Sequence, residues 1–174
     1  LSVPNGRLTD RALAGLDFML SVDVYLNETT RHAQLILPPT STLEHDHYDL
    51  AFHKFAVRNT ARYNAPVLPK PAGALHDWEI FAGLAAAHAR LTGDPAAPVV
   101  APADMLDFLL QAGPCGARSG FTPPLSLATL QAHPHGIDLG PLRPSLVERL
   151  CTADRMIDCL PAAIPGEIGR LAAE

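Results

Sequence analysis

The chain has 174 residues, of which 48% are hydrophobic and 18% are charged, with a formal net charge of −5 and a pI near 5.9. This composition predicts a folded protein with one core and excludes a disordered chain. The acidic balance argues against nucleic acid as a partner, and no apolar stretch reaches the ~20 residues that a membrane span needs. Because Leu1 follows neither an initiator methionine nor a leader segment, we expect a piece cut from a longer protein.

The first forty residues predict a βαβαβ segment, and a mostly irregular stretch follows. Pro4-Asn5-Gly6 is typical of a turn, and apolar residues at helical spacing come after it. Residues 18–24 and 34–37 are short apolar runs bounded by turn residues, a pattern that favours buried parallel strands. Asn27 lies between them and is expected to cap a short helix. Farther along, residues 55–59 alternate as an edge strand does.

A longer helix is predicted to be capped by Asp77 and to end at Gly93. Its buried face is expected to carry Ile80, Phe81 and further apolar residues at helical spacing. Glu79 falls in the first turn, where the helix dipole favours an acid.

Two more helices are predicted, at residues 105–110 and 126–131. Proline makes up 17 of the 174 residues and much of it follows residue 94, which predicts a wrapped, turn-rich segment. The predicted fold class is therefore α/β. A small parallel sheet with flanking helices, a partial Rossmann-like cofactor domain, would occupy residues 1–94. An irregular, proline-rich α-helical extension would occupy residues 95–174.

Several residue types recur in a fixed order around the two apolar runs. The order is Asp23, Glu28-Thr29, Ala33-Gln34, Leu35-Ile36-Leu37-Pro38 and Glu44. It closely resembles the third domain of molybdopterin-dependent oxidoreductases of the dimethyl sulfoxide reductase type, which include formate dehydrogenases and nitrate reductases. Gln34 departs from the pattern, because the family usually carries an aspartate there. This departure questions any role that needs a negative charge at that position.

The resemblance implies a parent enzyme that carries out two-electron redox chemistry at molybdenum held by two molybdopterin guanine dinucleotides. This segment would hold the guanosine end of one of them, and residues 135–142 resemble the connector before the family's last domain, a β-barrel. The metal ligand and any iron–sulfur cluster would lie elsewhere, so the isolated chain is expected to be inactive and to bind no cofactor. Expected partners are the remaining domains of the parent and an electron-transfer subunit or iron–sulfur domain. The expected location is cytoplasmic.

Asp77, followed by Trp78, is the strongest candidate site residue. In the family, an aspartate beside a tryptophan at this helix start holds the guanine of one pterin cofactor. A carboxylate presents two acceptors, and guanine presents two adjacent N–H donors, so the two groups pair like a fork. Taken alone, an aspartate at a helix start more often caps the helix. With the upstream pattern, guanine binding is favoured, and the two roles can coexist.

The resemblance implies four further cofactor contacts. Val22 would meet the ribose through its backbone, and Asp23 would accept from ribose hydroxyls. Asp23 as a turn cap is an equally open alternative. Ser2 matches a position that carries a small polar residue after a turn that would precede Leu1. His45 falls where some members place a basic side chain near the cofactor.

A metal site is one alternative for the stretch Glu44-His45-Asp46-His47 together with His53, since imidazole and carboxylate bind zinc. However, His45 and His47 would point to opposite sides of an extended chain, which favours a solvated or interface loop. The three cysteines, Cys115, Cys151 and Cys159, have no two-residue spacing, so neither a zinc ribbon nor an iron–sulfur site is expected.

Two functions from other classes stay open at this stage. One is a stand-alone nucleotide-binding or regulatory module. The other is a structural interaction domain without catalysis, which would be favoured if Asp77 were buried against its own backbone with no cleft beside it.

Overall fold

The computed structural model describes residues 3–49, 52–95 and 98–172, and Ser2 therefore lies outside the described residues. The helices are α1 Gly6–Ala14, α2 Asp77–Thr92, α3 Pro102–Ala112, α4 Leu127–Gln131, α5 Leu146–Arg149 and α6 Ala163–Ala172. The strands are β1 Leu20–Val22, β2 Leu35–Leu37, β3 His47–Tyr48, β4 Arg58–Ala61, β5 Tyr63–Asn64 and β6 Ile137–Pro141. Short 3₁₀ helices occupy Thr30–His32 and Phe52–Phe55. This mixture of helices and small sheets confirms the α/β class.

The first two strands form the predicted parallel pair, but the prediction that they are buried is wrong, because β1 is half-buried and Leu35 of β2 is exposed. Leu20 lies opposite Leu35 and Val22 lies opposite Leu37. Gln34 clamps the start of this pair, because its Oε1 accepts from the Met19 N–H at 2.6 Å while its own N–H donates to the Met19 carbonyl at 2.9 Å. The residue that departs from the family pattern therefore has a structural partner of its own.

A third segment continues the parallel arrangement beyond β2. Pro39 forms an isolated parallel bridge with Leu75, and the Thr40 N–H donates to the Leu75 carbonyl at 2.9 Å. Three chain segments therefore run side by side in the same direction. Their carboxyl ends lead to Asp23, to Thr40 and to the start of α2, and ligand sites of α/β proteins gather at such an edge.

A closed network of side chains shapes the turn after β1. The Asn27 Oδ1 accepts from the N–H groups of Thr29 and Thr30 at 2.9 and 3.0 Å, which forms a turn. The short helix that follows begins at Thr30 and its N-cap is Thr29, so the predicted capping position of Asn27 is wrong. The Thr30 hydroxyl, which is buried, donates to the Tyr25 carbonyl at 3.0 Å and accepts from the Asn27 N–H at 2.8 Å. This network holds the crossover that makes the two strands parallel.

The chain divides into two compact units, Leu1–Gly140 and Pro141–Glu174. The first unit contains a buried cluster of Ala61, Leu110, Leu125, Leu130 and Ile137. Because Ala61 precedes residue 94 and the others follow it, the predicted helical extension contributes to this core. The predicted boundary between residues 94 and 95 concerns a cofactor domain of a longer protein and stays a prediction.

The second unit consists of α5, α6 and the chain around them. Neither helix has a buried residue. Cys151 and Cys159 belong to this unit and are exposed, whereas Cys115 of the first unit packs against its core. No helix within the described parts of the chain is long and apolar enough to cross a membrane.

Two local predictions were wrong in detail. The strand expected at residues 55–59 is β4, and Phe52–Phe55 before it forms a 3₁₀ helix. Pairing with the distant β6 sets these limits, and the Arg58 guanidinium binds the Asp138 carboxylate at 2.6 Å beside that pairing. Phe81 is 58% exposed rather than inside, while its neighbour Ile80 is buried.

Truncation of Leu130 tests the core. Leu130 is fully buried, so Leu130→Ala is expected to lower the free energy of unfolding by about 2–5 kcal/mol. Leu91→Ala is the matched control, because Leu91 is 88% exposed and its truncation should change stability by less than about 0.5 kcal/mol. Urea unfolding measures both. Equal effects of the two variants would contradict the placement of the core.

Candidate functional site

A cavity of about 290 Å³ with both polar and apolar lining residues lies at the start of α2. Its lining consists of His45, Asp46, His76, Asp77, Trp78 and Ala101, Pro102 and Ala103. Two predicted site residues, His45 and Asp77, are thus brought together although they are far apart in sequence. The starts of both α2 and α3 line the cavity, and helix starts carry a partial positive charge.

Asp77 is the first residue of α2, so its predicted role as N-cap is wrong. His76 is the N-cap, with an extended backbone, and its N–H donates to the Glu79 carboxylate at 2.7 Å. Asp77 is exposed, and its Oδ1 accepts from the Trp78 N–H at 3.0 Å. Within the described residues, the other oxygen of this carboxylate accepts no hydrogen bond. Asp77 therefore keeps acceptor capacity that the helix does not use.

Glu79 secures the start of the helix from the other side. Its carboxylate also receives a hydrogen bond from the Lys70 ammonium, so the loop before α2 is tied to the first turn. The bond from Lys70, followed by that from the His76 N–H, holds the pKa of Glu79 below its usual value. The position of the His76 backbone is fixed by these contacts.

Both histidine rings of the cavity are held by specific partners. The His76 Nδ1 lies 2.6 Å from the Thr40 hydroxyl, and the His45 Nδ1 lies 2.7 Å from the Asp46 carbonyl. The two rings meet edge to face, with centroids 6.3 Å apart and an interplanar angle of 87°. Thr40 itself is buried. The ring planes at this wall of the cavity are therefore set by hydrogen bonds.

Asp46 links the cavity to the core. The Tyr63 hydroxyl donates to its Oδ2 at 2.7 Å, and Tyr63 packs against the buried cluster of the first unit. Burial first, and then the hydrogen bond to this carboxylate, raise the pKa of Tyr63 to about 12. One oxygen of the Asp46 carboxylate is thus engaged in a structural contact with the core.

The ribose candidates Val22 and Asp23 lie at the same edge of the parallel segments, and neither lines the cavity. Val22 is the last residue of β1. Both Asp23 oxygens accept hydrogen bonds from the turn that follows. Oδ1 accepts from the Tyr25 N–H at 3.0 Å, and Oδ2 accepts from the Asn27 side-chain amide at 2.9 Å. The hydrogen bond from the Tyr25 N–H, followed by that from Asn27, lowers the pKa of Asp23. The structure shows the turn-cap role of Asp23, and its contact with a ribose stays a prediction.

The histidine-rich stretch does not gather around one point. Across the described parts of the chain, no group of three or more His, Cys, Asp or Glu side chains is placed to hold a metal ion. His53 bonds the Thr60 hydroxyl instead.

Other concavities of the described residues are larger. A groove of about 600 Å³ is lined mainly by apolar residues of the loops at Leu37–Thr40 and Pro71–Leu75 and of α2. Another of about 500 Å³ lies along α3 and includes Asp107 and Arg118. We take the smaller cavity as the candidate site because it brings together His45 and Asp77, two residues that the sequence motif singles out.

Sequence reasoning missed Thr40 and His76. Neither belongs to a motif, and their contact joins residues 36 positions apart. One signal was present, because His76 directly precedes the predicted helix start and the N-cap lies one residue before the first helical turn.

One protein of known function resembles this chain in part. Over 88 residues it is 34% identical to the assimilatory nitrate reductase catalytic subunit of Bacillus subtilis (strain 168). The match covers 50% of this chain and 12% of that protein. No protein-family model matches the chain, and no solved structure matches it significantly. The partial similarity supports the relationship to molybdopterin oxidoreductases that the sequence motif implies.

Alkaline titration tests the link between the cavity and the core. A tyrosinate component with a pKa of about 12 is expected, and Tyr63→Phe should remove it. Asp46→Asn should lower the pKa of this component because the negative charge beside the phenol is lost. The folded chain holds this proton more tightly than the unfolded chain, whose tyrosine pKa is about 10. The associated stability is therefore complete below pH ~10 and is lost as the pH rises towards 12.

Absorbance of tyrosinate measures the titration, and thermal unfolding at a series of pH values measures the loss. Tyr25→Phe is the control, because Tyr25 is exposed and should leave the high component unchanged. Burial also raises the pKa of Tyr48, so the Tyr63 contribution is the difference between the unaltered chain and Tyr63→Phe. A high-pH titration that Tyr63→Phe leaves unchanged would refute the assignment.

Proposed function

We propose that this chain is part of a molybdopterin-dependent oxidoreductase and that the cavity at the start of α2 holds the guanosine end of one molybdopterin guanine dinucleotide. Asp77 carries the proposal, since it is an exposed carboxylate that lines the cavity and that keeps one oxygen without a hydrogen-bond partner within the described residues. The partial similarity to a nitrate reductase catalytic subunit supports the same parent class. Bound in the parent, the cofactor would supply the two-electron redox chemistry at molybdenum.

The cavity fits one base better than a whole cofactor. Its volume of about 290 Å³ lies at the lower limit of the ~300–1,000 Å³ usual for ligand pockets. The Asp77 carboxylate can accept the two adjacent N–H donors of guanine, whereas adenine offers no such pair at its Watson–Crick edge. Trp78, which is half-buried at the wall, offers an aromatic surface to a planar base.

The alternative of a purely structural domain has less support. It would be favoured by an Asp77 buried against its own backbone with no cleft beside it, and Asp77 is exposed and lines a cavity. The parent's substrate, its electron-transfer partner and a second pterin cofactor belong to the same proposal and depend on other parts of the longer protein.

Neutralising Asp77 in the longer protein should reduce cofactor content more than stability. Asp77→Asn replaces an acceptor by an amide that opposes the guanine N–H groups, and a loss of about 2–3 kcal/mol in cofactor affinity is expected. The lost dipole contact should cost only about 0.3–1 kcal/mol of stability. Guanine nucleotide and molybdenum per protein, with thermal unfolding, measure the two effects.

Asp104→Asn is the matched control, because Asp104 lies in the first turn of α3 outside this cavity. Its substitution should leave cofactor content unchanged. If Asp77→Asn left the cofactor content unchanged but lowered the melting temperature, Asp77 would only stabilise the start of the helix.

The 174-residue chain alone should bind guanosine monophosphate weakly but selectively. Asp77 is exposed, so water competes for its oxygens, and a dissociation constant near 1 mM, about −4 kcal/mol, is expected. Adenosine monophosphate should bind about tenfold more weakly, since it cannot form the double contact. Amide shifts of the ¹⁵N-labelled chain measure both. Equal binding of the two nucleotides, or shifts away from Asp77, would overturn the proposed site.

A further inference from the structure

We infer that His76 is a second base-recognition residue of this cavity, donating from Nε2–H to the O6 atom of guanine, and that the buried Thr40 hydroxyl positions it by fixing its tautomer. The inference rests on the proposed function, which assigns guanine to the cavity through Asp77. It adds two residues that neither the sequence motif nor the similar protein assigns.

The tautomer follows from the hydrogen-bonding needs of Thr40. Its side chain is 7% exposed, and its hydroxyl lies 2.6 Å from the His76 Nδ1. Within the described residues, this hydroxyl has no other partner. If Nδ1 carried the proton, the buried Thr40 hydroxyl would have no acceptor for its own hydrogen, which is costly. The hydroxyl therefore donates to Nδ1, and the proton of the neutral ring sits on Nε2.

The opposite tautomer follows for His45. Its Nδ1 lies 2.7 Å from the Asp46 carbonyl, and a carbonyl oxygen can only accept. Nδ1 therefore carries the proton, and Nε2 of the neutral ring is an acceptor. The two histidines thus present different chemistry although their rings are in contact.

The cavity therefore offers a ligand one donor, from His76, and one acceptor, from Asp77. His76 and Asp77 are consecutive residues that line the same cavity, and no hydrogen bond within the described residues uses the His76 Nε2–H or the second oxygen of Asp77. Guanine has the complementary order along one edge, with donors at N2 and N1 followed by the acceptor O6. Adenine reverses the last two, with an acceptor at N1 and a donor at N6. A donor beside a carboxylate therefore selects guanine at two points.

Long-range ¹H–¹⁵N spectra of the imidazoles in the full chain test the tautomers. His76 is expected as the Nε2–H form and His45 as the Nδ1–H form. Thr40→Val keeps the side-chain shape but removes the hydroxyl, and His76 should then move towards a mixture of tautomers. Thr40→Ser restores the hydroxyl and should restore the tautomer. A His76 ring protonated on Nδ1 in the unaltered chain would overturn the inference.

Comparison of guanosine monophosphate with 6-thioguanosine monophosphate tests the contact without any substitution. The sulfur analogue keeps N1–H and the N2 amino group, but its sulfur is a weaker acceptor than oxygen. The unaltered chain should bind guanosine monophosphate about two- to tenfold more tightly. The bound nucleotide should also shift the His76 Nε2 signal. In Thr40→Val the ratio should fall towards one.

The outcomes separate the inference from the proposed function. Equal binding of the oxygen and sulfur nucleotides, with guanosine still preferred to adenosine monophosphate, would overturn the role of His76 and leave Asp77 standing. Equal binding of guanosine and adenosine monophosphates would overturn the guanine site and the inference with it.

Discussion

The parallel alignment of three short segments is the constraint on which the candidate site depends. β1 pairs with β2, and the bridge between Pro39 and Leu75 adds a third segment in the same direction. Parallel segments bring their carboxyl ends to one edge, so the turn after β1, the loop after β2 and the start of α2 meet there. None of these segments is long. Their alignment rests on side-chain clamps such as Gln34 on the Met19 N–H as much as on strand pairing.

The start of α2 is ordered because each polar group around it has a defined partner. The Leu75 carbonyl accepts from the Thr40 N–H, the Thr40 hydroxyl bonds the His76 ring, and Glu79 accepts from the His76 N–H. Thr40 therefore joins backbone and side chain of the same turn. Because Thr40 is buried, removal of the His76 ring would leave the Thr40 hydroxyl without a hydrogen-bond partner within the described residues. The cavity wall is accordingly rigid where the ligand-facing groups emerge.

The sequence predicted features whose cause is local. Gly93 ends α2 in a left-handed conformation with a φ of 79°, and Ser126 begins α4 by accepting from the Thr129 N–H. Each of these needs only a few neighbouring residues. The parallel pairing was also predictable, because short apolar runs bounded by turn residues are typical of parallel strands.

Features with a distant cause were not predictable in the same way. The limits of β4 depend on β6, about eighty residues away, and on the ion pair between Arg58 and Asp138. The contact between Thr40 and His76 depends on the third parallel segment, which is too short to give a strand pattern. In the candidate site, the sequence motif identified Asp77, whereas the contact between Thr40 and His76 is seen only in the structure.

Two aspartates at the same edge show why a motif alone does not assign a ligand contact. Asp23 and Asp77 both follow a segment of the parallel arrangement, and the family pattern includes both. The Asp23 oxygens already accept hydrogen bonds from its own turn, and the lowered pKa of Asp23 reflects these bonds. A donor from a ligand would have to share acceptors that the turn needs. Asp77 accepts from the Trp78 N–H with one oxygen, and within the described residues its other oxygen accepts no hydrogen bond. Of the two carboxylates, Asp77 can therefore bind a base with the smaller loss of hydrogen bonds within the protein.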